Sequence, residues 1–189
     1  NLRGELGNGT TTQSNYAILI NNASLTNIIQ ISAGFYHSLF IKSNGTVLSC
    51  GRNDNGQLGD NTITQRLSPV LITSLTNIIQ VSAGYLHSIF LKSDGTVLSC
   101  GLNNYRQLAD GTSLTRRIPV SVVKELNTNL TNITQINTGS YFSLFLTNIQ
   151  DVYSIGKYDA GQLGNGIIQA LYNYIDFVKN QNHFDVIVF

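Results

Sequence analysis

The sequence carries one segment twice, and the two copies lie 50 positions apart. Residues 31–51 read ISAGFYHSLFIKSNGTVLSCG, residues 81–101 read VSAGYLHSIFLKSDGTVLSCG, and 15 of these 21 positions are identical. The seven residues before each copy, SLTNIIQ at 24–30 and 74–80, match without a change. A repeat of this length predicts an array of similar structural units in which each unit packs on its neighbours.

A glycine-rich motif recurs at a fixed offset from this segment and gives the period of the repeat. Its copies read GRNDNGQLGD at 51–60, GLNNYRQLAD at 101–110, GKYDAGQLGN at 156–165 and, shortened, NLRGELGNGT at 1–10. The intervals are 50 and 55 residues, and the five extra residues fall near KELNTNL (124–130), which predicts a longer polar loop. We therefore expect a single domain, 1–189, with units at approximately 1–30 (partial), 31–80, 81–135 and 136–189.

Each unit has the residue pattern of short β-strands. In the second unit, NIIQVSAG (77–84) and LHSIFLKS (86–93) predict two strands, SDG (93–95) predicts a tight turn, and GTVLSCG (95–101) predicts the returning strand of a hairpin. No stretch carries a convincing helical period, and even the closest one, IIQALYNYIDFVKN (167–180), is not predicted to be a helix.

A fourth strand per unit is expected at SPVLI (68–72) and RRIPVSV (116–122). Pro69 and Pro119 are expected at the starts of these strands, where a missing N–H is tolerated. Four short strands in each unit of 50 residues favour an all-β fold with stacked four-stranded sheets, and a β-propeller rather than a solenoid. The chain is expected to supply about three to four blades of a partial ring.

The composition excludes several classes of function. Charged residues make up 11% of the chain and the formal net charge is +1, which argues against direct binding of nucleic acid or an anionic membrane. No apolar run approaches the ~20 residues of a transmembrane helix. The unpaired positions of the two cysteines weakly favour an intracellular compartment, cytoplasmic or nuclear.

The pairing of SAGxxHS with GxNxxGQLG resembles the repeat of the regulator of chromosome condensation family, and the resemblance covers nearly the whole chain. It implies a β-propeller, commonly with seven blades. A seven-bladed ring needs roughly 350 residues at this period. We therefore expect this chain, which contains no Met, to be a fragment of a longer product, or two half-rings to pair between chains. The ending HFDVIVF (183–189) is expected to begin another unit.

The recurring residues are interpreted as structural. Phe142 stands in the third copy where His37 and His87 stand, so these histidines are expected to be packed with one ring nitrogen hydrogen-bonded. Cys50 and Cys100 alternate with Ile155, which predicts a buried apolar position rather than a disulfide or a metal pair. The structural repeat positions are Gly34, His37, Gly51, Gly56, Leu58, Gly59, Gly84, His87, Gly101, Leu108, Gly139, Gly156, Gly161, Leu163 and Gly164. No phosphate-binding loop for a cofactor is predicted, because the glycine-rich loop lacks the Lys-Ser/Thr of a P-loop. No metal-binding residue is predicted, because no unit offers Cys or His at ligand spacing, and no catalytic residue is predicted, because no Ser/His/Asp set is present.

The function expected from the resemblance is that of a non-enzymatic scaffold that binds a protein partner. Arg66, Arg116 and Arg117, assigned to the end of the variable loop where it leads into the fourth strand, are the predicted partner-binding residues. The alternative is a guanine-nucleotide exchange factor for a Ran-like small GTPase, which in this family uses an inserted β-wedge. No insertion of that length is present beyond the five residues near 124–130. The ultraviolet-photoreceptor branch of the family is excluded, because it relies on tryptophans and the chain has none.

Overall fold

The structure is a computed structural model that describes residues 1–166 and 176–178. It confirms an all-β fold of three antiparallel four-stranded sheets, which we name blades 1, 2 and 3 in chain order. Blade 1 contains β1 (Ile28–Ala33), β2 (His37–Lys42), β3 (Val47–Gly51) and β4 (Arg66–Leu71). Blade 2 contains β5 (Ile78–Ala83), β6 (His87–Lys92), β7 (Val97–Gly101) and β8 (Arg116–Ser121). Blade 3 contains β11 (Ile133–Thr138), β12 (Phe142–Thr147), β13 (Val152–Gly156) and β14 (Asp176–Val178).

Equivalent strands in the three blades pair in the same register. The central hairpin of blade 1 pairs His37 with Gly51, and that of blade 2 pairs His87 with Gly101. The turn between β6 and β7 in blade 2 uses Gly95 at φ +77°, a conformation that favours glycine. Each blade begins three residues before the unit drawn from the sequence, because the isoleucine at its start already pairs with the second strand ahead of a β-bulge. The two predictions that fall on 167–180 and 183–189 lie outside the described residues, apart from β14.

The fourth strands differ from the prediction. Pro69 and Pro119 lie in the middle of β4 and β8, three residues after the strand starts. Both strands form the outer edge of their blade, and their pairing with the preceding strand is irregular near the proline. A proline is tolerated there, because an edge position does not require its N–H in the ladder.

The stretch predicted as a polar loop, 124–130, is instead part of a two-stranded hairpin. Its strands are β9 (Val123–Glu125) and β10 (Thr128–Asn129). The chain reverses at Asn127, whose φ of 62° is one that asparagine tolerates. Val122 and Leu130 are both buried at its base and anchor it to the core.

The apolar core lies between the blades. The cluster between blades 1 and 2 consists of Leu39, Ile41, Val47, Ile72, Leu75, Ile78, Val81, Ala83, Phe90 and Cys100. The cluster between blades 2 and 3 consists of Ile89, Leu91, Val97, Ala109, Val122, Leu130, Ile133, Ile136, Phe145, Tyr153 and Ile155. Each blade thus contributes one face to each neighbour. Val81 of blade 2 is buried, whereas the equivalent residue of blade 1, Ile31, is 69% exposed. The difference shows how completely a neighbouring blade covers this position.

The segment before β1 packs on blade 1 in the way that the glycine-rich loop of blade 1 packs on blade 2. Ser38 donates a hydrogen bond to the Glu5 carbonyl at 2.8 Å, and Ser88 donates one to the Gln57 carbonyl at 2.7 Å. Residues 4–7 therefore hold the position that the preceding blade's loop would hold.

Both cysteines are free and buried, and we expect them to resist alkylation in the folded protein. Burial raises the pKa of the Cys50 thiol to about 12, and it also raises the pKa of Cys100. The thiolate that attacks iodoacetamide is therefore scarce at about pH 8. Mass spectrometry should find no labelled cysteine in buffer and two in denaturing urea; rapid labelling in buffer would contradict the burial.

Candidate partner-binding surface

Two buried histidines connect neighbouring blades through serine hydroxyls. His37 Nε2 lies 2.8 Å from Ser88 Oγ, and the same hydroxyl donates to the Gln57 carbonyl at 2.7 Å. A hydroxyl has one hydrogen, and the carbonyl takes it. His37 Nε2 must therefore carry a proton and donate it to Ser88. The interface between blades 2 and 3 repeats this pair of hydrogen bonds with His87, Ser143 and the Gln107 carbonyl.

Neither histidine is placed for acid–base chemistry. Both side chains are fully buried, and burial lowers the pKa of His37 to about 4 and that of His87 to about 3. They are neutral at physiological pH, and each bonds the neighbouring blade through one ring nitrogen. The structural role expected from Phe142 in the third copy stays a prediction, which these contacts between blades support.

The glycine-rich loops are held by buried asparagines. The Asn53 side chain donates to Asp60 Oδ1 at 2.9 Å and accepts from the Leu58 N–H at 3.0 Å. Leu58 is thereby fixed in a fully buried position, and Asn103 and Leu108 repeat the arrangement. Leu163, in the third loop, is also buried. In this arrangement the loops serve as corners between blades.

All three arginines favoured by the sequence lie at the starts of β4 and β8 rather than in a loop, and two of them close the glycine-rich loops. Arg66 Nη2 lies 2.8 Å from Asp60 Oδ2, and Arg116 Nε lies 2.6 Å from Asp110 Oδ2. Desolvation raises the pKa of each aspartate, but hydrogen bonds from a threonine and the arginine outweigh it and hold the pKa below its usual value. Arg66 and Arg116 are thus equivalent members of the repeat. Arg117 differs, because its side chain is exposed.

Five aromatic side chains form a continuous row across the three blades, which we call the aromatic strip: Phe35, Tyr36, Tyr85, Tyr141 and Tyr105. Ring centroids are 4.8 Å apart from Phe35 to Tyr85, 4.9 Å from Tyr85 to Tyr141 and 5.4 Å from Tyr141 to Tyr105. Phe35 is 64% exposed and Tyr105 is 43% exposed. Large aromatic groups that stay in contact with water and with one another are typical of protein-binding surfaces.

A cation lies over each end of the aromatic strip. The Arg52 guanidinium is 5.0 Å from the centre of the Tyr36 ring, and Lys157 Nζ is 5.8 Å from that of Tyr105. Each cation is paired at 2.8 Å with an aspartate, Asp54 and Asp159 respectively. A hydrogen bond from the cation lowers the pKa of each carboxyl, so both stay ionised.

Backbone hydrogen bonds between blades hold the loops that carry the strip. The Phe35 N–H donates to the Gly84 carbonyl at 3.2 Å, and the Tyr85 N–H donates to the Ser140 carbonyl at 3.1 Å. A Cβ at Gly34 would lie 2.5 Å from the Gly84 oxygen, so this close approach of the two loops requires glycine. The rings are therefore presented on a pre-organised platform.

Sequence reasoning missed the aromatic strip. Its signal was the pair of variable residues between the glycine and the histidine of SAGxxHS, which read FY, YL and, in the third copy, SY. An aromatic residue there is not needed by the strands. Tyr105 gave no such signal, since its equivalents are Asn55 and Ala160.

Other kinds of site are not found in the part of the chain that the structure describes. Within residues 1–166 and 176–178, no three His, Cys, Asp or Glu side chains come together in a group able to hold a metal ion. The same residues contain no helix with the length and apolar character needed to cross a membrane.

The chain matches the sequence profile of the Regulator of chromosome condensation (RCC1) repeat over residues 44–91 and 94–146. A second profile of the same repeat matches residues 28–57 and 78–107. Together the first two segments cover more than half of the chain. The matched segments overlap blades 1, 2 and 3.

Individual proteins agree with the profile. The probable E3 ubiquitin-protein ligase HERC6 of Homo sapiens is 36% identical over 139 residues, which are 74% of this chain and 14% of the ligase. The crystal structure of Prp20p from Saccharomyces cerevisiae, described with its binding properties to Gsp1p and histones, has a TM-score of 0.69 at 21% identity and covers 82% of this chain and 39% of Prp20p. Human WBSCR16 has a TM-score of 0.56 at 20% identity, covering 95% of this chain and 61% of its own. This chain belongs to the Regulator of chromosome condensation (RCC1) repeat family.

Proposed function

We propose that this chain is a protein-interaction scaffold that docks its partner on the aromatic strip. The observation that carries the proposal is a row of aromatic rings, exposed at Phe35 and Tyr105 and half-buried between them, on loops held together by hydrogen bonds between blades. Interface energy is concentrated in aromatic and arginine side chains that are already well ordered. Because the chain spans 14% of HERC6 and 39% of Prp20p, the activities of those whole proteins are not transferred to it.

The buried polar groups support a role without bond-making chemistry. The two histidines and their serines are committed to contacts between blades. The aspartates at the loop corners are committed to arginines. The titratable groups that the structure places together are thus used for stability, which leaves the outer surface for recognition.

A small GTPase is the alternative partner, as the family resemblance implies. The position where this chain has extra residues carries only the short hairpin β9–β10. Fluorescent-nucleotide release from a panel of small GTPases tests this alternative. Acceleration by the chain would replace the scaffold proposal with exchange activity, and unchanged release would favour the scaffold.

The proposal is tested with a strip variant, F35A/Y85A/Y141A, immobilised beside the wild type for capture of proteins from a cell lysate. We expect at least a tenfold loss of the bands that the wild type captures, since central aromatic anchors commonly cost ≥ ~1–2 kcal/mol each when truncated. The matched control, L126A/I149A, removes two exposed apolar side chains from other surfaces and should capture normally. The variant R117A tests whether the exposed Arg117 side chain contributes to partner binding.

Two outcomes decide between surfaces. Capture that is unchanged in the strip variant and lost in R117A would move the docking site to the exposed arginine. Equal capture by every variant would reject specific docking. The circular dichroism and unfolding midpoint of the strip variant are compared with those of the wild type, because Tyr85 and Tyr141 are half-buried and a loss of capture counts only for a folded variant.

A further inference from the structure

We propose that blade 1 carries a docking site for a three-stranded antiparallel sheet with the residue pattern of this repeat. The site, which we call the open face, consists of β1 and the segment 16–20. The structure contains the interface between two blades twice, and the open face presents one half of that interface a third time. The proposal does not depend on the aromatic strip.

β1 exposes an apolar side chain that a neighbouring blade covers in blade 2. Ile31 is 69% exposed, whereas its equivalent Val81 is 3% exposed. The contrast is specific to this side of the strand. Ile79 stays 53% exposed although blade 1 lies beside it, and its equivalent Ile29 is 62% exposed. A neighbour on the open face would therefore bury Ile31 and leave Ile29 in water.

The first strand of a covered blade donates two backbone hydrogen bonds to side chains of its neighbour. The Val81 N–H donates to Gln30 Oε1 at 3.1 Å, and the Ala83 N–H donates to Ser32 Oγ at 3.0 Å. Blade 3 makes the same two bonds to the equivalent side chains of blade 2. A glutamine and a serine two residues apart thus form a recurring code for one blade packing on the next.

The equivalent donors of β1, the N–H groups of Ile31 and Ala33, have no side-chain acceptor within residues 1–166 and 176–178. A third group on the same face is also incomplete. Ser88 accepts from His37, whereas Ser38 has no histidine donor in the described part of the chain. The occupant is therefore expected to carry the glutamine and serine on its first strand and a donor such as histidine on its second.

Residues 16–20 form a fourth strand that lacks a third. They read YAILI and align with SPVLI at 68–72, the end of β4 and the residue after it. Ile20 packs on the apolar cluster of blade 1, in the way that Ile72 packs between blades 1 and 2. No strand of the described residues pairs with this segment, and Leu19 is 90% exposed.

Three strands therefore complete the interface. Residues 4–7 already hold the position of the corner loop, and 16–20 supply the fourth strand. The same reasoning disfavours a second copy of this chain as the occupant. Its blade 3 carries a glycine-rich loop of its own, 156–165, which would need the position that residues 4–7 hold.

The test uses the first three strands of blade 1, residues 28–51, fused to a soluble carrier protein as the probe. Biolayer interferometry measures its binding to the intact chain. We expect saturable binding to the wild type, at least tenfold weaker binding to I31K and unchanged binding to the matched control I29K. Both isoleucines are exposed in the chain alone, but only a lysine at position 31 would be buried on docking. A probe with Q30L/S32A lacks both acceptors and should bind several-fold more weakly.

Proline variants test the pairing of the unpaired fourth strand. The Ile72 N–H donates to the Val47 carbonyl at 2.9 Å, so every second N–H of the aligned segment, including that of Ile18, is expected to face the third strand. I18P removes this donor and should weaken probe binding at least tenfold. A17P is the matched control, because Ala17 aligns with Pro69, which β4 accommodates.

A joined variant makes the result independent of whether the probe folds alone. Asn1 accepts from the Leu6 N–H at 2.9 Å, as Asn53 does in its own loop, so residues 28–52 can be joined directly ahead of Asn1. We expect amide hydrogen exchange at Ile31 to slow at least tenfold in this variant.

The outcomes decide as follows. Failure of the probe to bind together with unchanged exchange in the joined variant overturns the proposal. Equal effects of I31K and I29K, or of I18P and A17P, would place the probe on another surface and overturn it as well. Self-association of the wild-type chain that I31K abolishes, measured by analytical ultracentrifugation, would replace the proposed occupant with a second copy.

Discussion

Replacing Gly56 by alanine should destabilise the protein by ~1–3 kcal/mol more than replacing Gly161, the usual cost of steric overpacking. The two glycines are equivalent in the repeat and have nearly the same φ, +74° and +72°. A Cβ at Gly56 would lie 2.5 Å from Arg117 Cα in the next blade, whereas a Cβ at Gly161 meets no atom of residues 1–166 or 176–178 within 4 Å. The left-handed backbone costs both variants about 1–2 kcal/mol. The difference therefore measures the contact between blades.

Urea unfolding of G56A and G161A gives this difference directly. G4A provides a second test, since a Cβ there would lie 2.7 Å from Leu67 Cα and should behave like G56A. The chain atom that would be struck is backbone in both cases, so no side chain can swing away. Equal destabilisation of G56A and G161A would show that the loop does not bear on the next blade.

Acidification between pH 6.5 and 4.5 should destabilise the wild-type protein, and a double variant, H37F/H87F, should lose most of this sensitivity. Burial depresses the folded pKa values to about 4 and about 3, against 6.5 as the ordinary value. The stabilisation that these lowered pKa values give is thus complete above pH 6.5. It is lost at lower pH, because the histidines of the unfolded chain take up protons that the buried histidines of the folded chain do not. Each histidine contributes on the order of 1.4 kcal/mol per pH unit across this window.

Phenylalanine is the right replacement because blade 3 already has Phe142 at this position. Ser88 keeps its hydrogen bond to the Gln57 carbonyl in the variant. The free energy of unfolding is measured in urea at several pH values in this range, with H183N as the control that removes a histidine of the undescribed segment. A slope that stays the same in H37F/H87F would show that other groups cause the acid sensitivity. The aspartates of the loop corners titrate below this window, since their pKa values are lowered.

The period, the strands and the propeller class could be predicted from the sequence because the repeat states each of them several times. The interpretation of Cys50 as buried rested on a comparison between copies, and it is the environment that the structure shows. Residues that occur once gave no such comparison. The hairpin at β9–β10 therefore read as a loop, and the aromatic strip was missed because its rings come together only when the three blades stand side by side.

The arginine prediction shows a different limit. Arg66 and Arg116 lie 50 positions apart like the rest of the repeat, which indicates a structural role and not a variable binding residue. Their pairing with Asp60 and Asp110 depends on loop geometry, because each arginine follows its aspartate by six residues around a tight corner. Charge and exposure alone do not distinguish an arginine that forms such a structural ion pair from an arginine that binds a partner.

Residues 4–7 pack on blade 1, and residues 56–59 pack on blade 2. The unit that could be moved intact to another protein is therefore a glycine-rich loop together with the sheet that follows it, and its boundaries differ from those of a single sheet. An engineered array spliced between one sheet and the next would sever each corner loop from the sheet it clamps. A junction placed just ahead of a glycine-rich loop keeps loop and clamped sheet together. Repeats joined in that phase should insert or delete with their interfaces whole.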